Sequence, residues 1–211
     1  MARRDFSGKV ILITGAAGGL GAALCHQFAA AGAHIAAMDL DATRLQDLVA
    51  ALPAGTLAIT GNIAERANCQ AAIDQTVAHF GALDGLVNNA GISHRSLFQD
   101  TDPAVIRRVM EVNFFGAMQM THAALPHLIQ TRGMVTAISS VAGYAPLLGR
   151  TGYAASKHAL HGFFDTLRTE VEDRGVGVTL VCPSFIATGI GGAALRGQGG
   201  SATSARITAG G

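Results

Sequence analysis

Short runs of β-branched and aliphatic residues alternate along the chain with longer stretches where apolar positions recur at helical spacing. Residues 9–14 (Lys-Val-Ile-Leu-Ile-Thr) predict a buried strand, and 19–32 an alanine-rich helix. A second strand over 33–38 ends at Asp39, and the helix after it, 43–52, is stopped by Pro53. Strand 56–60, helix 65–80 closed by Gly81, and strand 83–87 follow. A long helix over 102–130 opens with Asp102 as its cap and Pro103 in its first turn, with a kink expected at Pro126. Strand 134–139, helix 151–173 and strand 176–182 complete the pattern. Strict strand–helix alternation predicts an α/β fold: a doubly wound parallel sheet, helices on both faces, ligands at the carboxyl ends of the strands.

Nothing strand-like follows residue 182, so the sixth strand is expected at an apolar edge that invites association. Residues 189–211 hold eight glycines among Ala, Ser and Thr and read as a mobile substrate loop or tail, distinct from the domain at 1–188. The chain is low in charged residues (14%) with a formal net charge of +1, so it lacks the basic footprint of a nucleic-acid binder. No apolar run is long enough to span a membrane, and none follows Arg3 and Arg4 to form a signal peptide; a cytoplasmic protein without a membrane or nucleic-acid partner is expected. Cys25, Cys69 and Cys182 have no paired or metal-ligand spacing, so reduced cysteines and no metal are expected.

The chemistry begins where the first strand turns into the first helix: Thr14, Gly15, Ala16, Ala17, Gly18, Gly19, Leu20, Gly21. Glycines at 15, 19 and 21 let the backbone pass close to a pyrophosphate, whose charge a helix N-terminus favours, as in a Rossmann-like dinucleotide site. Asp39 lies eighteen residues after Gly21, where an acidic side chain can accept hydrogen bonds from the adenosine ribose and repel a 2′-phosphate. No Arg or Lys occupies the glycine turn, so NAD is expected in preference to NADP. Asp41 is a nearby alternative that fits better as a helix cap.

Taken with later motifs, this turn resembles the short-chain dehydrogenase/reductase family. The residues that carry the resemblance are the turn at 14–21, then Asn88, Asn89, Ala90 and Gly91 after the fourth strand, then Asn113, Ser140, Tyr153 and Lys157, and finally Pro183 and Thr188. It covers about residues 8–188. It implies a homo-oligomeric (dimer or tetramer) NAD(P)(H)-dependent oxidoreductase acting on a small-molecule alcohol or ketone. By resemblance, Asn113, Ser140, Tyr153 and Lys157 are catalytic. Gly15, Gly19, Leu20, Gly21, Asp39, Asn62, Ile63, Asn89, Ala90, Gly91, Tyr153, Lys157, Pro183 and Thr188 hold the cofactor. Asn113 is expected to hold, by side chain or local backbone, a water that links Lys157 to solvent.

The residue types suit that chemistry. Tyr153 and Lys157, four apart, share one helix face. A phenol titrates near pH ~10, and a neighbouring ammonium favours its ionised form, so the pair can act as general base or acid. Ser140, at the end of the fifth strand, can bond the substrate oxygen; strand alternation turns its rival Ser139 the other way. Asn113 sits mid-helix, where asparagine is unfavourable and demands a reason. Phe98, Tyr144, Leu147, Leu148, Phe185 and Ile190 are candidates for an apolar substrate pocket. His94, His158 and His161 fit no ligand or triad spacing and read as structural or surface residues.

The chain departs from the family in carrying Asn62 for the usual Asp, Ser184 after Pro183 for the frequent Gly, and no further helix and seventh strand; a truncated sequence and a dimer are expected. A non-catalytic dinucleotide sensor and an inactive truncated oxidoreductase are the competing readings.

Overall fold

The computed structural model describes residues 5–184 and 194–200. Six parallel strands form one sheet: β1 (Val10–Thr14), β2 (His34–Asp39), β3 (Leu57–Thr60), β4 (Gly85–Asn88), β5 (Met134–Ile138) and β6 (Gly177–Val181). Their order is β3-β2-β1-β4-β5-β6, the doubly wound arrangement whose direction reverses between β1 and β4. That reversal leaves a crevice at the carboxyl ends of the strands, where the glycine turn and the segment after β4 emerge. The expected Rossmann-like α/β class is therefore what the chain adopts. Among the described residues β6 is an edge strand, with Val181 exposed.

Strand alternation assigns the two faces. Val10 and Leu12 of β1 join Met38, Leu86 and Ala137 in one core. Ile11 and Ile13, one residue out of phase, join Ile35, Val87 and Ile138 in the other. The second core is covered by α1 (Gly19–Ala30) through Cys25 and by α2 (Ala42–Ala50) through Leu45 and Leu48. The first is covered by α3 (Arg66–Phe80), α5 (Gly116–Thr131) and α6 (Thr151–Val171), with Ile73, Met120 and Phe164 fully buried.

Local chemistry starts and stops these helices as expected. The Asp41 carboxylate accepts the Arg44 N–H (3.1 Å) and caps α2. Asp102 accepts the Ala104 N–H (2.8 Å) and caps α4 (Pro103–Met110), with Pro103 in the first turn. Gly81, at φ +82°, closes α3 in the left-handed conformation.

The long helix expected over 102–130 differs in a way that matters. It is two helices, α4 and α5, joined by a π-helical turn at Glu111–Phe115. The wider turn accommodates Asn113, which is 1% exposed, and explains a residue that an α-helix disfavours. The interruption falls there, and Pro126 lies inside α5. A second addition comes from residues 194–200, which run back along the segment after β4. The Leu195 N–H donates to the Ser93 carbonyl (2.7 Å), the Arg95 N–H to the Leu195 carbonyl (2.8 Å) and the Asp102 N–H to the Gly197 carbonyl (2.8 Å).

Candidate active site

The crevice is a cleft of about 950 Å³, within the range of ligand sites. At one end is the glycine turn. Gly15 adopts φ +62°, and a Cβ there would lie 2.7 Å from the Ala90 Cα. A Cβ on Gly21 would lie 2.1 Å from the Gly15 carbonyl oxygen. These glycines are required first by the protein's own backbone, which must fold back on itself before a ligand can approach. Gly18 precedes α1 without any side-chain cap, so the first N–H groups of that helix face the cleft unpaired by a side chain. Gly19 and Leu20 line the cleft beside them.

The segment after β4 locks this turn in place. Thr14 Oγ1 accepts the N–H groups of Asn89 and Ala90 (both 3.1 Å). Asn89 Nδ2 donates to the carbonyls of Thr14 (2.9 Å) and Gly15 (3.0 Å). Asn89, expected beside the ribose, thus spends its amide on the turn itself. Ala90 and Gly91 line the cleft, as do Asn62, Ile63 and Pro183. The Asn62 side chain bonds Glu65 and Ala64 at the start of α3, and the Pro183 carbonyl accepts the Val141 N–H (3.1 Å). Thr188, Phe185 and Ile190 lie outside the described residues.

Asp39 ends β2 at the cleft, its carboxylate accepting the N–H groups of Ala17 (2.9 Å) and Asp41 (3.0 Å). Beside it is a cation that the sequence did not place there. Arg44, from the first turn of α2, donates through Nη2 to the Ala17 carbonyl (2.9 Å) and lines the cleft. The glycine turn carries no basic residue of its own, but the fold supplies one.

At the other end Ser140, Tyr153 and Lys157 come together. Ser140 follows β5 and lines the cleft with Tyr153, its Oγ accepting the Ala142 N–H (3.2 Å), while Ser139 turns away, its Oγ 2.9 Å from His161 Nε2. Lys157, 4% exposed, lies with Nζ 5.6 Å from the centre of the Tyr153 ring and donates to the Ile138 carbonyl (2.7 Å). Asn113 Oδ1 accepts the Ile92 N–H (2.8 Å), and its Nδ2 donates to the Ile92 carbonyl and to Ser156 Oγ (both 2.9 Å). All of its side-chain polar atoms are therefore engaged. It pins the segment after β4 to α6, and Ser156, which sequence reasoning overlooked, is the anchor on the helix. A Cβ on Gly91 would fall 3.2 Å from Asn113 Oδ1 and 3.8 Å from Lys157 Nζ, so both residues converge on that glycine.

Burial sets the titration of both catalytic candidates. It holds the Tyr153 phenol above its ordinary range, opposed by the nearby Ser140 hydroxyl and by the charge of Arg150. It brings the Lys157 amine down to about 8. The cation acting on Tyr153 includes one not anticipated, Arg150, three residues earlier.

His94 is fully buried and structural, as expected, yet it touches the site. Its Nε2 accepts the N–H of Gly152 (2.9 Å), the residue before Tyr153. Burial, then the Arg150 charge, holds its pKa below the usual value and so keeps it neutral. His158 is exposed at the surface of α6. Leu147 and Leu148 line the cleft, whereas Phe98 and Tyr144 are largely exposed and are not part of its described wall.

The family model described as short chain dehydrogenase matches residues 9–198. The chain belongs to the short-chain dehydrogenase family. It is 41% identical to the bovine (Bos taurus) dehydrogenase/reductase SDR family member 7B over 191 residues, covering 86% of this chain and 59% of that protein. It is 36% identical over 189 residues to the 11-beta-hydroxysteroid dehydrogenase-like 2 of Arabidopsis thaliana, covering 87% of this chain and 61% of that protein. The chain therefore spans about three fifths of the length of these relatives. Its fold matches 3-ketoacyl-(acyl-carrier-protein) reductase from Brucella melitensis, solved with NADH, with a TM-score of 0.86 at 27% identity, covering 88% of this chain and 79% of that one. It also matches a Burkholderia phymatum short chain dehydrogenase/reductase in complex with NAD, with a TM-score of 0.84 at 29% identity, covering 89% and 69%.

Proposed function

We propose that this chain carries the catalytic core of a nicotinamide-dependent oxidoreductase that interconverts an apolar alcohol and its ketone. The convergence of Ser140, Tyr153 and Lys157 at one end of a cleft whose other end is an uncapped helix start behind a glycine turn supports this reading. The turn fits a dinucleotide: its backbone is as close-packed as glycine permits, and α1 offers uncapped N–H groups to a pyrophosphate. Gly15, Gly19, Leu20 and Gly21 would hold the pyrophosphate and ribose, Asn62 and Ile63 the adenine, Asn89, Ala90 and Gly91 the adenosine ribose, Lys157 the nicotinamide ribose, and Pro183 and Thr188 the nicotinamide. When bound, the nicotinamide supplies or accepts the hydride.

The chain's own residues supply the proton chemistry. Ser140 hydrogen-bonds the substrate oxygen and stabilises charge developing there. Tyr153 removes the hydroxyl proton from an alcohol or delivers one to a carbonyl oxygen. Lys157, with an amine near 8, exchanges protons close to neutral pH and passes them on beside Gly91. Asn113 holds the backbone around Ile92 rigid for this relay.

Asp39 favours NAD by repelling a 2′-phosphate, while Arg44 beside it is the group that such a phosphate would use. Calorimetric titration with NADH and NADPH, followed by a 340 nm assay with ketones, tests the proposal. Tight NADH binding with turnover is expected; failure of both nucleotides to bind overturns it.

A further inference from the structure

One end of the cleft carries positive charge that no carboxylate among the described residues neutralises. Arg150 caps the start of α6, where its carbonyl accepts the Ala154 N–H (2.7 Å), and its guanidinium donates through Nη1 to the hydroxyl of buried Ser93. Both ends of this residue are thus fixed, three positions from Tyr153. Arg95, two residues after Ser93, has its backbone held by Leu195 and lines the same cleft. Both arginines are half-buried. They are close enough to feel each other: burial and then the charge of Arg95 hold the Arg150 guanidinium below its usual range.

Among the described residues neither has a carboxylate partner. The ion pairs among the described residues, Lys9–Asp84 and Arg168–Asp165, involve neither arginine. The acidic residues lining the cleft are Asp39 and Asp41, both at the glycine-turn end. The segments outside the described residues, 1–4, 185–193 and 201–211, contain no Asp or Glu. Ser93, which accepts from Arg150, is uncharged, His94 is held neutral by burial while it accepts the Gly152 N–H, and a further arginine, Arg108, lines the same cleft. Two like charges drawn partly out of water beside each other are unfavourable unless an anion joins them. The guanidinium fork suits a carboxylate or phosphate, which it can bind through two parallel hydrogen bonds.

We propose that Arg95 and Arg150 form an anion subsite, and that the alcohol or ketone has an apolar body carrying an oxyanion group, carboxylate or phosphate, on the side away from the nicotinamide. This rests on the oxidoreductase reading above and narrows its substrate class. Leu147 and Leu148 would contact the apolar body, and the two guanidinium groups would fix which end of the molecule enters first.

The test compares 4-acetylbenzoate and 4-acetylphenyl phosphate with the neutral isostere methyl 4-acetylbenzoate, using NADH, in the wild type, Arg95→Gln, Arg150→Gln and Arg150→Lys. The wild type is expected to favour at least one anion over the ester by about tenfold or more in kcat/KM. That ratio should fall about tenfold in either glutamine variant, through KM, and recover in part in Arg150→Lys. Which anion is favoured distinguishes carboxylate from phosphate. A wild-type ratio near one, or a ratio unchanged in both Arg95→Gln and Arg150→Gln, overturns the subsite. If no ketone is turned over, the oxidoreductase reading fails separately. Calorimetric binding of the same anions then decides the subsite: weakening by about tenfold in the variants supports it, and equal or absent binding overturns it.

Discussion

Replacing Lys157 with methionine should change the protein's stability by an amount that depends on pH, and burial sets the size of that change. Lys157 is 4% exposed, and the folded state lowers its amine from 10.5 to about 8. Between those two values the unfolded chain binds a proton that the folded chain does not, so this group makes stability rise with pH across that window. Below about pH 8 the full cost of holding the buried charge is present. At about 1.4 kcal/mol per unit it amounts to about 3 kcal/mol. Lys157→Met removes that cost. It also takes the donor from the Ile138 carbonyl, an offset of about 1–3 kcal/mol that does not depend on pH. The variant's stability relative to wild type should therefore fall by about 3 kcal/mol between about pH 7 and 10.5, whatever the offset. Urea unfolding of both cofactor-free proteins, followed by circular dichroism at several pH values, measures this. A difference that stays flat across the window would refute the claim that the fold holds this lysine against its desolvation.

Three further outcomes are expected. Gly21→Ala places a Cβ 2.1 Å from the Gly15 carbonyl oxygen, and should cost about 1–3 kcal/mol and weaken NADH binding at least about tenfold by calorimetry; wild-type affinity would contradict the packing account. Arg44→Ala should weaken NADPH more than NADH, and equal losses would show that Arg44 does not face the 2′-position. His94→Phe removes the acceptor for the Gly152 N–H and should lower stability by about 1–3 kcal/mol near pH ~7. Because the folded protein depresses the His94 pKa, the stability owed to its neutral form is present above the unfolded value and is lost as pH falls through the folded one. The variant should therefore lose part of the wild type's acid sensitivity in thermal melts from about pH 7 to 4; identical acid limbs would contradict this.

What was legible in the sequence is what short-range chemistry encodes. The apolar run at 9–14 marked β1 as a buried strand, and the glycine turn and the Tyr153–Lys157 spacing marked residues that line the cleft. The phase of Ser139 and Ser140 was readable from pleat alternation alone. Features built by tertiary folding were not. Arg44 reaches Ala17 across 27 positions, Arg150 reaches Ser93 across 57 and His94 reaches Gly152 across 58, and no local pattern marks such pairs. The π-helical turn left one trace, an asparagine in an otherwise helical stretch, because helical periodicity cannot distinguish a change of hydrogen-bond register over five residues.

The most direct test of the central claim is a split between binding and turnover in Tyr153→Phe. The wild type should oxidise NADH with a ketone at 340 nm, and the variant should bind NADH with unchanged affinity by calorimetry while its turnover falls by a factor of about 10² or more, since it lacks the proton donor. Turnover at the wild-type rate in that variant would contradict the assignment of Tyr153 as the catalytic acid and base.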